Sequence, residues 1–166
     1  MVLLDIATYP DPVLREKCQE VESIDSEIQT LLENMIETVI YAQGVGLAAP
    51  QIGVPLRIIA FDGGDQKEHE ISVLINPEII EREGNTKDEE GCLSIPEIYA
   101  KVRRAEKITV KGLNRHGEEL VLEETGRTAL VLQHEIDHLD GVLFWDRIGK
   151  VKRDILKRKY NKKKIA

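Results

Sequence analysis

Two histidines four residues apart with a glutamate between them, His134-Glu135-Ile136-Asp137-His138, are the side chains of this sequence best spaced to do chemistry. On a helix, residues four apart lie one turn apart on the same face, so both imidazoles can reach one ion. Glu135 is offset by one position. It stands beside the ion, where it can take a proton from water activated there and pass it on. Two polar rings in an apolar stretch need partners, which argues against a purely structural role. A hydrolytic centre needs a third protein ligand and one open position. The extension HExxHxxGxxH runs as far as Gly141 and then fails, because Phe144 stands where the third His belongs. No Glu follows Glu135, and Asp140, Asp146 and Asp154 have no helix context that recommends them. The ligand is therefore sought upstream. Cys92, in Glu89-Glu90-Gly91-Cys92-Leu93-Ser94-Ile95-Pro96, is the best candidate, since Gly91 permits a sharp turn and close backbone approach. A thiolate is a strong ligand for zinc or ferrous iron, and metal binding keeps it deprotonated. By itself Cys92 reads as a small buried hydrophobe; the missing third ligand tips the balance. Cys18, among Arg15, Glu16, Lys17, Gln19 and Glu20, reads as structural.

A second segment, Gly44-Val45-Gly46-Leu47-Ala48-Ala49-Pro50-Gln51-Ile52-Gly53, opens as GxGxxA. It follows a helical pattern rather than a strand, which rules out a dinucleotide fingerprint. What remains is a run of small side chains that lets backbone approach a ligand, ending in Gln51, whose amide can donate to an oxygen.

The elements that must position these residues are legible from periodicity. Ile28, Leu31, Leu32, Met35, Ile36, Val39 and Ile40 recur at three- and four-residue spacing and predict a helix over 25–43, with Ser26 and Gln29 as a capping box and Gly44 as its stop. Strand-like runs follow at 56–61, 71–75, 78–82, 108–113 and 120–122, with a turn at 114–117. Residues 126–139 predict a second helix, apolar on most sides and hence buried. Gly141 ends it, 142–145 reads as extended, and 147–163 as a basic last helix. Tyr9-Pro10-Asp11-Pro12 is a turn. The pattern predicts an α+β fold, with antiparallel or mixed sheets packed around the buried HExxH helix, in one domain spanning 1–166.

The chain has 166 residues, 42% hydrophobic, enough for a sizeable core and too many for disorder. Two cysteines form no disulfide framework. No apolar run approaches the roughly 20 residues of a membrane span, and the start MVLLDIATYP lacks the pattern of a secretory leader, so a soluble cytoplasmic protein is expected. The net charge of −7 hides an asymmetry. Residues 147–166 hold ten Lys or Arg and one acid, a net +9, while the rest of the chain carries −16. Such a tail suits either a polyanion or a solvated amphipathic helix.

GVGLAAPQIG, EGCLSIP and QHEIDH together, in this order and at these separations, resemble the peptide deformylase family, in its compact bacterial subclass. INPEI at 75–79 and HLDGVLF at 138–144 extend the resemblance over most of the chain. The resemblance implies that Cys92, His134 and His138 hold one divalent metal, natively Fe2+, with Zn2+, Ni2+ or Co2+ able to substitute. It implies removal of the formyl group from N-formyl-methionine at the start of new polypeptides, releasing formate. Glu135 would be the general base and then the proton donor, with Gln51 and the Leu93 N–H steadying the oxyanion. Val45, Leu130 and Val131 would line the methionine pocket. The peptide would lie extended along Val45, Gly46 and Gly91, with Glu90 pairing with Arg104 to brace the loop. The basic last helix resembles one that contacts the ribosome. Tyr99 departs from the pattern, standing where some members carry Arg, at the contact to later peptide residues. Two other classes compete: a metallopeptidase cutting internal bonds in an open cleft, and a metal-stabilised adaptor with four protein ligands whose tail docks on RNA.

Overall fold

A computed structural model describes residues 3–64 and 70–165. The first long helix, α1 (Ser26–Tyr41), runs over most of the predicted span. Its cap is Asp25 and not Ser26: the Asp25 carboxylate accepts from the Ile28 N–H at 3.0 Å. Gln29 forms no box; its amide donates to the Arg115 carbonyl instead. Gln43, at φ 53°, takes the left-handed turn that ends the helix, and the Gly44 N–H returns to the Val39 carbonyl.

Among the described residues seven strands follow: β1 (Gly46–Ala48), β2 (Ile58–Asp62), β3 (Ile71–Glu83), β4 (Thr86–Cys92), β5 (Ile95–Arg104), β6 (Lys107–Leu113) and β7 (Glu119–Thr125). They make a five-stranded sheet in the order β1-β2-β3-β6-β7 and a separate β4–β5 hairpin, with every strand pairing antiparallel. The two predicted runs at 71–75 and 78–82 are one strand, β3, whose register slips between Ile75 and Glu78. Asn76 sits there at φ 53°, and its side-chain amide grips the Val21 backbone at both ends (2.8 and 3.0 Å). That bulge is what INPEI encodes.

The wholly buried β2 shows how the layers form. Ile59 and Phe61 face one way, into a core with Ala129, Leu132, Ile136 and Leu139 of helix α2 (Gly126–Leu139). Ile58 and Ala60 face the other way, against Leu32, Met35 and Val39 of α1. Period-two alternation along one strand therefore glues a helix to each face of the sheet. The far side of α2 meets the β4–β5 hairpin. There Ile95, Ile98 and Val102 join Phe144, Trp145, Leu14 and Tyr160 in a third cluster. Tyr160 comes from α3 (Lys150–Ile165), the basic last helix, and its hydroxyl donates to the Tyr9 carbonyl at 2.8 Å.

The stretch at 142–145, expected to be extended, leads instead into a 3-10 turn at Phe144–Arg147. The Asp146 carboxylate accepts the Leu143 N–H at 2.8 Å and pairs with Arg15, which closes the turn. The end of α2 is also tied down. The Leu139 carbonyl accepts from the Cys18 N–H at 2.8 Å and from Arg57 at 3.0 Å, so a helix C-terminus receives a cation. No described helix is long and apolar enough to cross a membrane.

Candidate metal centre and substrate cleft

Helix α2 places His134 and His138 on one face, ring centroids 5.0 Å apart. The β4–β5 turn brings Cys92 to them from 46 residues upstream, its Sγ 3.3 Å from His138 Nε2. The thiol and the two imidazoles offer donor atoms that all lie within 4.8 Å of one another. Among the described residues this cluster counts three donors, one short of a tetrahedral shell. Phe144, the residue that broke the His extension, packs its ring on His134 with planes 23° apart.

The surroundings favour a cation. His134 Nδ1 is held by Glu90 at 2.9 Å, leaving the other ring nitrogen for the centre. Burial opposes charge on His134, yet Cys92 and Glu90 draw a proton onto it well above the usual imidazole range. His138 is held the other way, by burial and by the charges of His134 and Arg104. An imidazole drawn towards protonation between a thiol and a carboxylate marks a place where positive charge is wanted. Soft sulfur and two nitrogens suit zinc or ferrous iron alike.

Glu90 is fixed in turn. Arg104, almost wholly buried, donates to it through Nε (2.8 Å) and Nη2 (2.9 Å), and through Nη1 to Asp137 at 2.5 Å. Burial works against the Glu90 charge, but Arg104 and His134 hold the carboxyl at about 2. Arg147 closes the outer end with two bonds to Asp137 (2.7 and 2.8 Å). An unbroken ladder Arg147–Asp137–Arg104–Glu90 thus reaches from the surface to the His134 ring. The Glu90–Arg104 pair was expected from sequence; Asp137 and Arg147 were not. Asp137 occupied a variable position of the HExxH motif, and only the fold brings Arg147 to it.

Glu135 lies beside the cluster, buried, with Oε1 lacking any hydrogen-bond partner. Burial pushes its carboxyl up to about 7, with Glu90 adding to the rise and His134 and Arg104 opposing it. A bound cation next to it would favour the carboxylate and draw that value down again. Gly46 of β1 passes so close that a Cβ there would meet Glu135 Oε2 at 2.6 Å. Gln51 is 1% exposed. Its Oε1 accepts the Ala48 N–H (2.9 Å), which aims its NH2 at Ser94 Oγ (3.1 Å) and Cys92 Sγ (3.6 Å). The Leu93 N–H donates to no acceptor among the described residues.

These groups open into one cleft of about 680 Å³, lined by Val45, Gly46, Gln51, Glu90, Gly91, Leu93, Leu130, Val131, His134 and Glu135. All six residues expected to touch substrate line it. Among the described residues β1 pairs only with β2 and β4 only with β5, so the cleft runs between two free strand edges. An extended chain could therefore hydrogen-bond on both sides. Tyr99 lies across the hairpin from Gly91, 61% exposed, its ring so near that a Cβ on Gly91 would meet it at 2.6 Å. It forms part of the cleft wall. Arg127, paired with the buried Asp62 at 3.0 Å, lines the cleft too and carried no sequence signal.

Residues 3–154 match the family model for polypeptide deformylase. The peptide deformylase of Thermodesulfovibrio yellowstonii is 47% identical over 165 residues, covering 99% of this chain and 100% of that protein. Among solved structures, a peptide deformylase from Legionella pneumophila superimposes with a TM-score of 0.91 at 46% identity, covering 98% of this chain and 96% of that one. The Ehrlichia chaffeensis peptide deformylase in complex with actinonin gives 0.90 at 38% identity, covering 98% of each. A fold matched end to end, joined to a Cys/His/His cluster able to hold a metal, leads to one conclusion: this chain belongs to the peptide deformylase family, metal-dependent hydrolases that remove N-formyl groups from nascent polypeptides.

Proposed function

We propose that residues 1–166 act as one catalytic unit in the cytoplasm, deformylating the N-terminal methionine of new polypeptides, with Cys92, His134 and His138 holding one divalent ion, natively Fe2+ and replaceable by Zn2+, Ni2+ or Co2+. The observation that carries this reading is the convergence of a thiol and two imidazoles beside a buried carboxylate that has a free oxygen. When bound, the ion supplies Lewis acidity that activates water and polarises the formyl carbonyl. Glu135 takes the proton from the attacking water and delivers it to the leaving nitrogen, so one carboxylate serves both halves of amide hydrolysis. The Gln51 NH2 and the Leu93 N–H donate to the oxygen that gains charge; both are held before substrate arrives, which is what makes such donors effective. The peptide enters as an added strand along Val45, Gly46 and Gly91, and its methionine packs on Val45, Leu130 and Val131. A formyl carbon carries only hydrogen, so the close walls around Glu135 and Gly46 disfavour an acetyl group. Glu90, braced by Arg104, sets the His134 ring. We read α3, with its lysines, as the surface that meets the ribosome.

The test pairs two variants. Glu135→Gln should retain the metal and lose about 10²–10⁴-fold in turnover of a formyl-methionyl peptide, whereas Cys92→Ala should lose the metal itself by elemental analysis. Undiminished formate release by Glu135→Gln would remove the proton shuttle, and metal retained by Cys92→Ala would remove the third ligand. Cleavage of internal bonds in unformylated peptides would favour the peptidase reading.

A further inference from the structure

The chain holds a second charged cavity, of about 320 Å³, that shares no lining residue with the substrate cleft. Arg82 at the end of β3, Asn85 in the turn after it, Arg103 of β5 and Arg147 line it, with Arg104 and Asp137 at its floor. Its arginines are unusual within this molecule. Arg15, Arg57, Arg104, Arg115, Arg127, Arg147 and Arg153 each pair with a carboxylate, and Arg158 donates to a carbonyl. Among the described residues, only Arg82 and Arg103 have guanidiniums without an acid or hydrogen-bond partner, and both open into this cavity. Asp137 does not satisfy them, because its oxygens already receive Arg104 and Arg147. Arg147 spends Nε and Nη2 on Asp137, which leaves Nη1 uncommitted. Glu83 of β3, Asp88 of β4 and Glu106, between β5 and β6, line an adjoining cavity that shares only Gly84 with this one. In a chain whose net charge is −7, two unpaired guanidiniums thus share one concave place.

We propose that the cavity walled by Arg82, Arg103 and Arg147 is an anion site that takes a phosphate group. Planar guanidiniums present paired donors matched to phosphate oxygens, and the Asn85 amide adds a neutral donor. The phosphate is either free or part of an RNA strand; the chemistry is shared, and two probes separate them. Side-chain Nε–H resonances of Arg82 and Arg103 in the full-length, metal-loaded protein should shift saturably on addition of inorganic phosphate, of a 12-nucleotide RNA, or of both. The R82Q/R103Q variant should bind the active probe at least tenfold more weakly, with formate release from a short formyl peptide unchanged. If RNA is the ligand, the slope of log Kd against log salt should also fall by about 0.7, one single-strand phosphate contact. A response to phosphate alone identifies a small-anion site, and a stronger response to RNA identifies a strand. Resonances that move with neither probe, or a variant that binds as tightly as the parent, overturn the proposal.

Discussion

Gly46→Ala probes the proposed proton shuttle without replacing it. The added Cβ would stand 2.6 Å from Glu135 Oε2, 2.9 Å from Glu135 Cγ and 3.0 Å from Val131 Cγ1. The first distance falls about 0.8 Å short of the 3.4 Å at which ordinary contact begins. Either β1 or the carboxylate must yield. Strand β1 is held in register on β2, Gly46 opposite Phe61, with Leu47 and Ala48 fully buried. Glu135 has an oxygen with no partner, so its head is the softer element. A displacement near 1 Å at a reacting group costs about 10²-fold, or ~2.7 kcal/mol on the barrier. Stability should change less. Overpacking costs about 1–3 kcal/mol, and replacing Gly in a strand returns about 0.5–1.

The assay is formate release from a short formyl-methionyl peptide at matched metal content, with thermal unfolding alongside. The expected result is a fall in kcat near a hundredfold, full metal and a modest drop in Tm. Gly91→Ala is the comparison. Its Cβ would meet the Tyr99 ring at 2.6 Å, but that ring is exposed and can swing away, so kcat should stay within a few-fold. A Gly46→Ala enzyme with near-parental kcat would show that Glu135 need not sit where the structure puts it.

Further outcomes follow from the other charges and the second thiol. Arg104→Met strands Glu90 and Asp137 in the interior and should cost about 3–5 kcal/mol in denaturant unfolding, with metal affinity falling about 10–100-fold as His134 loses its brace; unfolding within 1 kcal/mol of the parent, by the ~0.5 kcal/mol resolution of additive measurements, would mean the ladder is not what holds the hairpin. Burial, partly opposed by Arg57, pushes the Cys18 thiol up to about 11, so mass spectrometry after alkylation at pH 8 of metal-free protein should find Cys92 modified and Cys18 untouched until unfolding. Because that folded value lies above the ordinary 9.0, the stability gained by keeping Cys18 neutral is complete below pH 9 and lost as pH rises towards about 11. Burial opposes the Asp146 charge, but Arg15 and the Leu143 N–H hold its carboxyl below the usual 3.8; the difference in urea midpoint between the parent and Asp146→Asn should therefore be present above that pH and vanish as pH falls through the lowered value.

Local order was legible where local pattern carried it. Helix α2 begins and ends where its periodicity placed it, at Gly126 and Leu139, because its apolar residues are consecutive in the chain and their burial needs no distant register. The metal donors were legible as types at spacings. Cys92 was reached by elimination from the sequence, and it lies beside the histidines because the β4–β5 hairpin folds onto α2. The hairpin itself left no readable trace. Its β4 reads Thr-Lys-Asp-Glu-Glu-Gly-Cys, polar and without an alternating apolar face, which looks like loop. What holds it comes from elsewhere: Leu14, Phe144, Trp145 and Tyr160 pack on β5, and Arg104 reaches across to α2.

That difference explains why the site is built as it is. A thiol at the end of an acidic strand that lacks an apolar face has little local reason to stay put, and a metal ligand misplaced by an ångström is lost. To the apolar packing of β5 the chain adds charge on β4. Glu90, two residues before Cys92, is gripped by Arg104 and grips His134, so the strand that carries the thiol is clamped to the helix that carries the imidazoles. Burying an acid against a guanidinium is costly unless each donor is used, and here Arg104 commits Nε, Nη1 and Nη2 alike. The acidic run that hides β4 from a reading of apolar pattern is therefore also what aims it, since Glu90 belongs to both.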